Sequence, residues 1–502
     1  MLPSRGRLRR SWFPLVRTAS RGTGAVDLPG DLPQWPACKP LGKYFHSLLS
    51  DPGWVRRRVE TVEVINTVRF ERAVSLDIDV DDLAKRATDS GVSDVTNLYV
   101  PIASFKKRLL IDFDVVDQDG QTMSLVTSDE DSHAALAMLL ATAECSGIDP
   151  SRLSSGALQK LHDIVRHPAS TEDAAVIARA SRSPGRLEVP GWQLKPGYNV
   201  TDADIKFWRE TLFADAGFVS RIAEFTTQYM PIISVRRDRT PTIVKYRTIE
   251  SEPAADFDKW TMAERLGWNE IYIGIETPSI GRAQREHVRI SSPGGVFAVS
   301  VDVAVAETLD SGPLTPQPSG SEFTGRVTPE RALVYTSGRQ SSDLHQVIVG
   351  IRPTITGFRT PALIGTLLSA LVLVGGAVGQ WTGNVLGKIV DHSTDPAVAI
   401  LIVIPSLIAA YVVREGEHEV RSKLLSVPRA VVMLTSGLTF VAAAATIAQF
   451  SGHILAIVWI ACGAVCIIAL LYLWAVCARI DNHHKRIVAT SNSQSSQPIY
   501  KL

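Results

Sequence analysis

The last third of the chain has almost no charge. Residues beyond 360 hold nine of the 52 Lys+Arg and six of the 51 Asp+Glu, so the first 360 carry −2 within a total of +1. Such a balance excludes a nucleic-acid binder working by bulk charge, because phosphate contacts are made by Lys and Arg in excess. Cysteine is scarce as well: of five, only Cys38 and Cys145 precede residue 360, too few for the disulfide framework of a secreted protein. His-Glu-x-x-His, Cys-x-x-Cys and Gly-x-Ser-x-Gly are all missing, which removes the commonest zinc, redox and serine-nucleophile signatures. No catalytic, cofactor-binding or metal-binding residue is assigned, and no cofactor is expected.

What replaces charge is a series of four apolar stretches, residues 362–379, 397–413, 430–448 and 454–476, none with an Asp, Glu, Lys or Arg. Each approaches the ~20 residues that a helix needs to cross a hydrocarbon core of ~30 Å. Cations cluster before the first stretch (Arg352, Arg359), between the second and third (Arg414, Arg421, Lys423, Arg429) and after the fourth (Arg479, Lys485, Arg486). The other two connections hold only Lys388. The positive-inside bias therefore predicts a multi-pass protein of the cell membrane with both termini cytoplasmic. The stretches offer only Ser and Thr as polar stations, which disfavours coupled transport. Gly375 and Gly379, with Gly365 and Ser369, permit close helix approach. Packing within the four-helix set is the simpler use of these small residues, and a homo-oligomer formed through the first transmembrane helix is the sharper one. Cys462 and Cys466 share a helix face and read as packing, and Pro405 predicts a kink in the second stretch.

Residues 1–49 read as a basic, largely disordered segment, with six Arg before the first acid, Asp27. Residues 50–230 predict an α+β domain. Val59, Val62, Val64, Val68, Val74, Leu76, Ile78 and Val80 alternate with polar residues, as do Leu109, Ile111, Phe113 and Val115 before a hairpin signal at 117–120. From Ser128, read as an N-cap ahead of Asp129, Glu130 and Asp131, the period becomes helical up to Gly147. Further helices are expected at 155–167, 172–181 and 202–229. Residues 231–356 predict a β-rich, sandwich-like domain with strands at 232–236, 242–249, 271–276, 287–290, 296–305, 332–336 and 346–351, and a Pro-rich loop at 309–321. Residues 357–480 form the transmembrane domain, and 481–502 read as a disordered basic tail.

Several features have bland readings. Asp77, Asp79, Asp81 and Asp82 lack the Gly and the twelfth-position acid of a calcium loop and read as an exposed strand edge. Gly387-Lys388 lacks phosphate-loop spacing, and the sequon at Asn199 matters only outside the cytoplasm. His483-His484 beside Lys485-Arg486 reads as a basic anchor next to the bilayer.

The run Pro405-Ser406-Leu407-Ile408-Ala409-Ala410-Tyr411 leading into Arg414-Glu415-Gly416-Glu417-His418-Glu419 and Leu424-Leu425, with Tyr99-Val100-Pro101-Ile102 and Lys106-Lys107 upstream, resembles a family of uncharacterised actinobacterial multi-pass membrane proteins with an N-terminal cytoplasmic head. The resemblance implies location and no activity. If the Glu-Gly-Glu-His element matters, it suits a hinge or docking point. The preferred functional expectation is a membrane-anchored cytoplasmic interaction or scaffold module whose partners are the lipid bilayer and a protein, with no nucleic acid. The alternatives are an enzyme with an unrecognised site in residues 50–230 and a small channel or exporter subunit.

Overall fold

The computed structural model describes residues 35–93, 95–107, 111–167, 177, 200–238, 242–251, 260–277, 282–305, 323–337, 345–383, 418–448, 450 and 452–495. The stretch 397–413, the Pro-rich loop, Lys388 and Pro405 lie outside the described residues, as do Asn199 of the sequon and all of the helix expected at 172–181 except Ile177.

In chain order the strands are β1 (Val55–Val64), β2 (Arg69–Ile78), β3 (Asn97–Pro101), β4 (Phe105–Lys106), β5 (Ile111–Val116), β6 (Gln228–Tyr229), β7 (Ile232–Arg236), β8 (Thr242–Ser251), β9 (Ile271–Thr277), β10 (Arg285–Ser291), β11 (Val296–Val305), β12 (Phe323–Thr328), β13 (Arg331–Ser337) and β14 (His345–Pro353). The described helices are α1 (Trp35–Ser50), α2 (Val80–Asp89), α3 (Ser128–Cys145), α4 (Ser155–Arg166), α5 (Asp202–Phe207), α6 (Ala216–Thr227), α7 (Met262–Arg265), α8 (Arg359–Gly383), α9 (Glu419–Leu424), α10 (Ser426–Ile447) and α11 (Gly452–Ser495).

Local chemistry places many of these boundaries. Thr127, not Ser128, caps α3, in a reciprocal box with Glu130. Asp79 ends β2 and caps α2 by accepting from the Asp82 backbone N–H, so the acid run is a strand-to-helix junction rather than one strand edge. The helix expected over 202–229 is interrupted by a π turn at Trp208–Leu212 and restarts at Ala216 on the Asp215 cap.

The main sheet has seven strands in the order β12-β13-β10-β1-β2-β8-β5, and a three-stranded sheet runs β11-β14-β9. All seven strands expected after residue 231 are present, and β8, β10 and β13 share a sheet with β1 and β2. β8 pairs with β2, and β10 lies parallel to β1 with Glu60 opposite Val288. Residue 230 is therefore no boundary between sheets: alternation reports which face of a strand is buried, not which distant strand it joins.

One face of this sheet serves two cores. Val55, Leu76, Ile78, Val244 and Tyr246 pack under α1, α3 and α6, where Phe45, Leu139, Leu140 and Ile222 are buried. Further along the same strands, Val62, Val64, Phe70, Val288 and Ile290 face the three-stranded sheet through Ile273 and Val349, a sandwich-like layer. Arg58, Glu60, Arg72 and Glu286, all buried, occupy the seam between the two. The expectation of disorder through residue 49 fails for α1, whose Trp35, Tyr44, Phe45 and Leu48 enter the first core.

Three described helices are long and apolar enough to cross a membrane: α8, α10 and the apolar part of α11. They pack through Leu373, Ala377, Ala442, Trp459 and Cys466. The tail expected to be disordered from 481 is helical through Ser495. Val476 and Ile480 sit one turn apart against Phe297 of β11, and the His484 ring meets Phe297 edge-on at 4.9 Å, which gives the extension an apolar seat on the N-terminal body.

Candidate functional site

A cavity of about 580 Å³ opens where α3, α4, α6 and the β4–β6 pair converge. Its floor is apolar, with buried Phe225, Met230 and Ile232, and half-exposed Leu125 and Arg166 stand at its mouth. Lys107, Ser128, Asp131, Ser132, Gln228 and Tyr229 supply the polar lining. A mostly apolar concavity with a few converging polar groups is the ordinary form of a small-molecule site.

Each polar residue has a structural reason for its place. The Lys107 backbone donates to Thr227 O at 2.7 Å, which carries the side chain off the end of β4 toward α4. There Nζ donates to Ile164 O at 3.1 Å and His167 O at 2.8 Å, covering the open carbonyls at the C-terminus of α4. Asp131 lies in the first turn of α3, one turn before Ala135, so it faces inward on the helix's apolar side. Its Oδ1 is buried and has no hydrogen-bond partner among the described residues. Arg166 is held by Asp129 at 2.5 Å.

Burial pushes the Asp131 carboxyl up to about 7, a rise limited by the nearby Lys107 charge. Burial likewise brings Lys107 down to about 8, opposed by Asp131. Tyr229 is pushed to about 12 by burial and by Asp131, so its hydroxyl keeps its proton. The cavity thus holds two groups whose protonation changes near neutral pH.

Ser132 and His162 stand in a nucleophile-and-base relationship, Oγ to Nε2 at 2.9 Å. The remaining geometry is wrong for acyl transfer. The Ser132 hydroxyl proton goes to Asp129 O at 2.8 Å, so His162 can only donate to it. Asp163, at 3.9 Å from Nδ1, is too far to hold the other tautomer, and burial with the neighbouring His133 lowers His162 to about 4. The arrangement favours binding over nucleophilic chemistry.

None of these groups was singled out as a site residue from sequence. Asp131 reads there as one of three helix-start acids and Lys107 only as part of the Lys106-Lys107 pair in the family resemblance. The available signal was Asp131's position four residues before Ala135, on the face that continues into Met138 and Leu139. Among the residues weighed from sequence, Asp79 is engaged by Arg56 at 2.8 Å and by the α2 cap, and His484 by Phe297. No protein-family model matches the chain, and no curated protein matches it.

Proposed function

We propose that the protein is a membrane-anchored interaction module whose cytoplasmic head takes a small organic ligand into the Asp131 cavity and presents the loaded head to a protein partner. Four spans, with the 397–413 stretch as the second, hold it in the cell membrane with both termini cytoplasmic. The observation that carries this reading is the buried, unpartnered Asp131 Oδ1 in a largely apolar cavity: leaving a polar atom so costs about 1–3 kcal/mol, which a ligand donor would recover. Supporting it, the described apolar helices have no Asp, Glu, Lys, Arg or His between 362 and 379, 430 and 448, or 454 and 476, which speaks against a conducting path.

The test is a thermal-shift screen of the full chain in nanodiscs against a metabolite library, paired with affinity capture from membranes with and without each hit. The reading requires at least one compound that stabilises the protein and loses its effect in Asp131→Ala. A screen with no hit, and capture unaffected by any compound, would sink it.

A second reading, an enzyme in the same cavity, is favoured by one observation: Asp131 and Lys107 titrate close to neutral pH, where general acid and base groups work best. Turnover of a screening hit would select it.

A further inference from the structure

The cavity's polar groups are unequal in sign and in commitment. Among the described residues that line it, Asp131 is the one carboxylate, and the neighbouring Asp129 is engaged by Arg166. Lys107 has three N–H donors and spends two on the carbonyls of Ile164 and His167. The Tyr229 hydroxyl, the Gln228 amide and the Ser128 hydroxyl add donors around the same space. A ligand cation would have to approach Lys107 in a dry site, whereas a ligand anion has to be accepted by Asp131.

Resting on the cavity reading above, the geometry points to an organic monoanion of the carboxylate class, with its charged end between Lys107 Nζ and Asp131 and its apolar body against Phe113, Phe225 and Ile232. Asp131 is protonated in the complex, taking up its proton on binding wherever the pH lies above about 7, and its O–H donates to the ligand carboxylate. One proton enters, one negative charge enters, and the Lys107 charge is then matched by the ligand. A dianion is disfavoured because Arg166, the second nearby cation, is already paired.

Burial and the Lys107 charge set the Asp131 proton, and further charged and titratable groups stand around it. Lys107 comes from the end of β4 and Tyr229 from β6, Arg166 comes from α4, and Asp129 and Glu130 lie on α3 itself. Burial lowers both His133 and His162, and His162, brought to about 4, stays neutral. At neutral pH an Asp131 raised toward 7 accepts a proton more readily than Lys107 gives one up.

The probes are 4-phenylbutyrate, 4-phenylbutylamine and 4-phenylbutanol, titrated calorimetrically into the full chain in nanodiscs at pH 6 and pH 8. The butyrate should bind at least about tenfold more tightly than the other two, and about tenfold more tightly at pH 6 than at pH 8. Asp131→Asn, whose amide can donate at any pH, should reduce the pH dependence of butyrate binding and leave the part that comes from Lys107, which still titrates near 8. Lys107→Gln should weaken the butyrate about tenfold or more at both pH values, with circular dichroism confirming the fold. Tighter binding of the amine or the alcohol, lost in Asp131→Asn, would overturn the anion assignment while leaving the cavity a ligand site. An unchanged pH slope in Asp131→Asn would overturn the proton uptake. Failure of all three probes, together with an empty library screen, would overturn both proposals.

Discussion

The Thr67 hydroxyl donates to Glu419 Oε1 at 2.7 Å, joining the tip of the first hairpin to a residue 352 positions later in the chain. Around this contact, His418 Nε2 meets Val64 O at 3.2 Å and Lys423 Nζ reaches Thr67 Oγ1 at 3.3 Å. Val420 and Leu424 of α9 enter the core between the two sheets, and Arg421 donates to Thr356 O at 2.8 Å. The short helix that leads into α10 is therefore part of the N-terminal body; of the Glu-Gly-Glu-His element, only His418 lies among the described residues.

The two kinds of contact in this seam predict unequal costs. Leu424→Ala should destabilise the body by about 2–4 kcal/mol through lost burial, while Glu419→Gln should cost less than about 1 kcal/mol because its carboxylate is largely exposed. Hydrogen exchange over 418–424 separates them: both variants raise it, but only Leu424→Ala lowers the melting temperature. The Thr67 hydroxyl bond holds the Glu419 carboxyl below its usual range. Its contribution is present above the ordinary Glu value and fades as the pH falls through the lowered one, so wild type and Glu419→Gln should converge in acid.

Glu60 offers a sharper case. Fully buried, it pairs with Arg58 at 2.7 Å and with Arg72, which continues to Glu250 at 2.7 Å and to the Glu276 carbonyl at 2.7 Å. Glu60→Gln removes the counter-charge of buried Arg58 and leaves buried Arg72 with Glu250 alone, and should cost about 3–5 kcal/mol. Denaturant unfolding in detergent measures this. A loss below about 1 kcal/mol would mean that the seam is wetter than its burial indicates.

The apolar helices were legible in the sequence because crossing a membrane depends on length and composition, which are local. Strand positions from β7 to β14 were nearly all legible, since period-two alternation survives in any sheet. The sheet's order was not: the β1 pairing with β10 joins residues more than two hundred positions apart, and nothing within Val55–Val64 names its partner. α1 was missed because Pro40 and the preceding Arg-rich run mask its inward face of Trp35, Tyr44, Phe45 and Leu48. Asp131 was visible as a residue but not as a site, because a carboxylate in a first helical turn is ordinarily solvated and only the cavity gives this one its shifted proton.

Gly375 of the small-residue stripe and its neighbour Gly376 lie in different surroundings on α8, and the difference is testable. A side chain at Gly376 would run into the Trp459 indole, whereas a Cβ at Gly375 meets nothing within 4 Å. Gly376→Val should force α8 and α11 apart and lower detergent stability by about 1–3 kcal/mol. Gly375→Val should leave stability unchanged. If Gly375→Val instead shifts the protein from dimer to monomer in light scattering, the stripe serves a second copy of the chain.

Orientation can be read from thiol chemistry. Cys145 is exposed at the end of α3, while Cys38 is buried and its thiol is pushed up to about 11, away from the reactive thiolate. With a cytoplasmic head, a membrane-impermeant maleimide should leave intact cells unlabelled and should label one site after permeabilisation, abolished by Cys145→Ser. In that background Trp381→Cys, at a 64% exposed position near the far end of α8, should label in intact cells. Labelling of Cys145 in intact cells, with Trp381→Cys silent, would invert the topology and place the Asp131 cavity outside the cytoplasm, where its ligand would be an external solute.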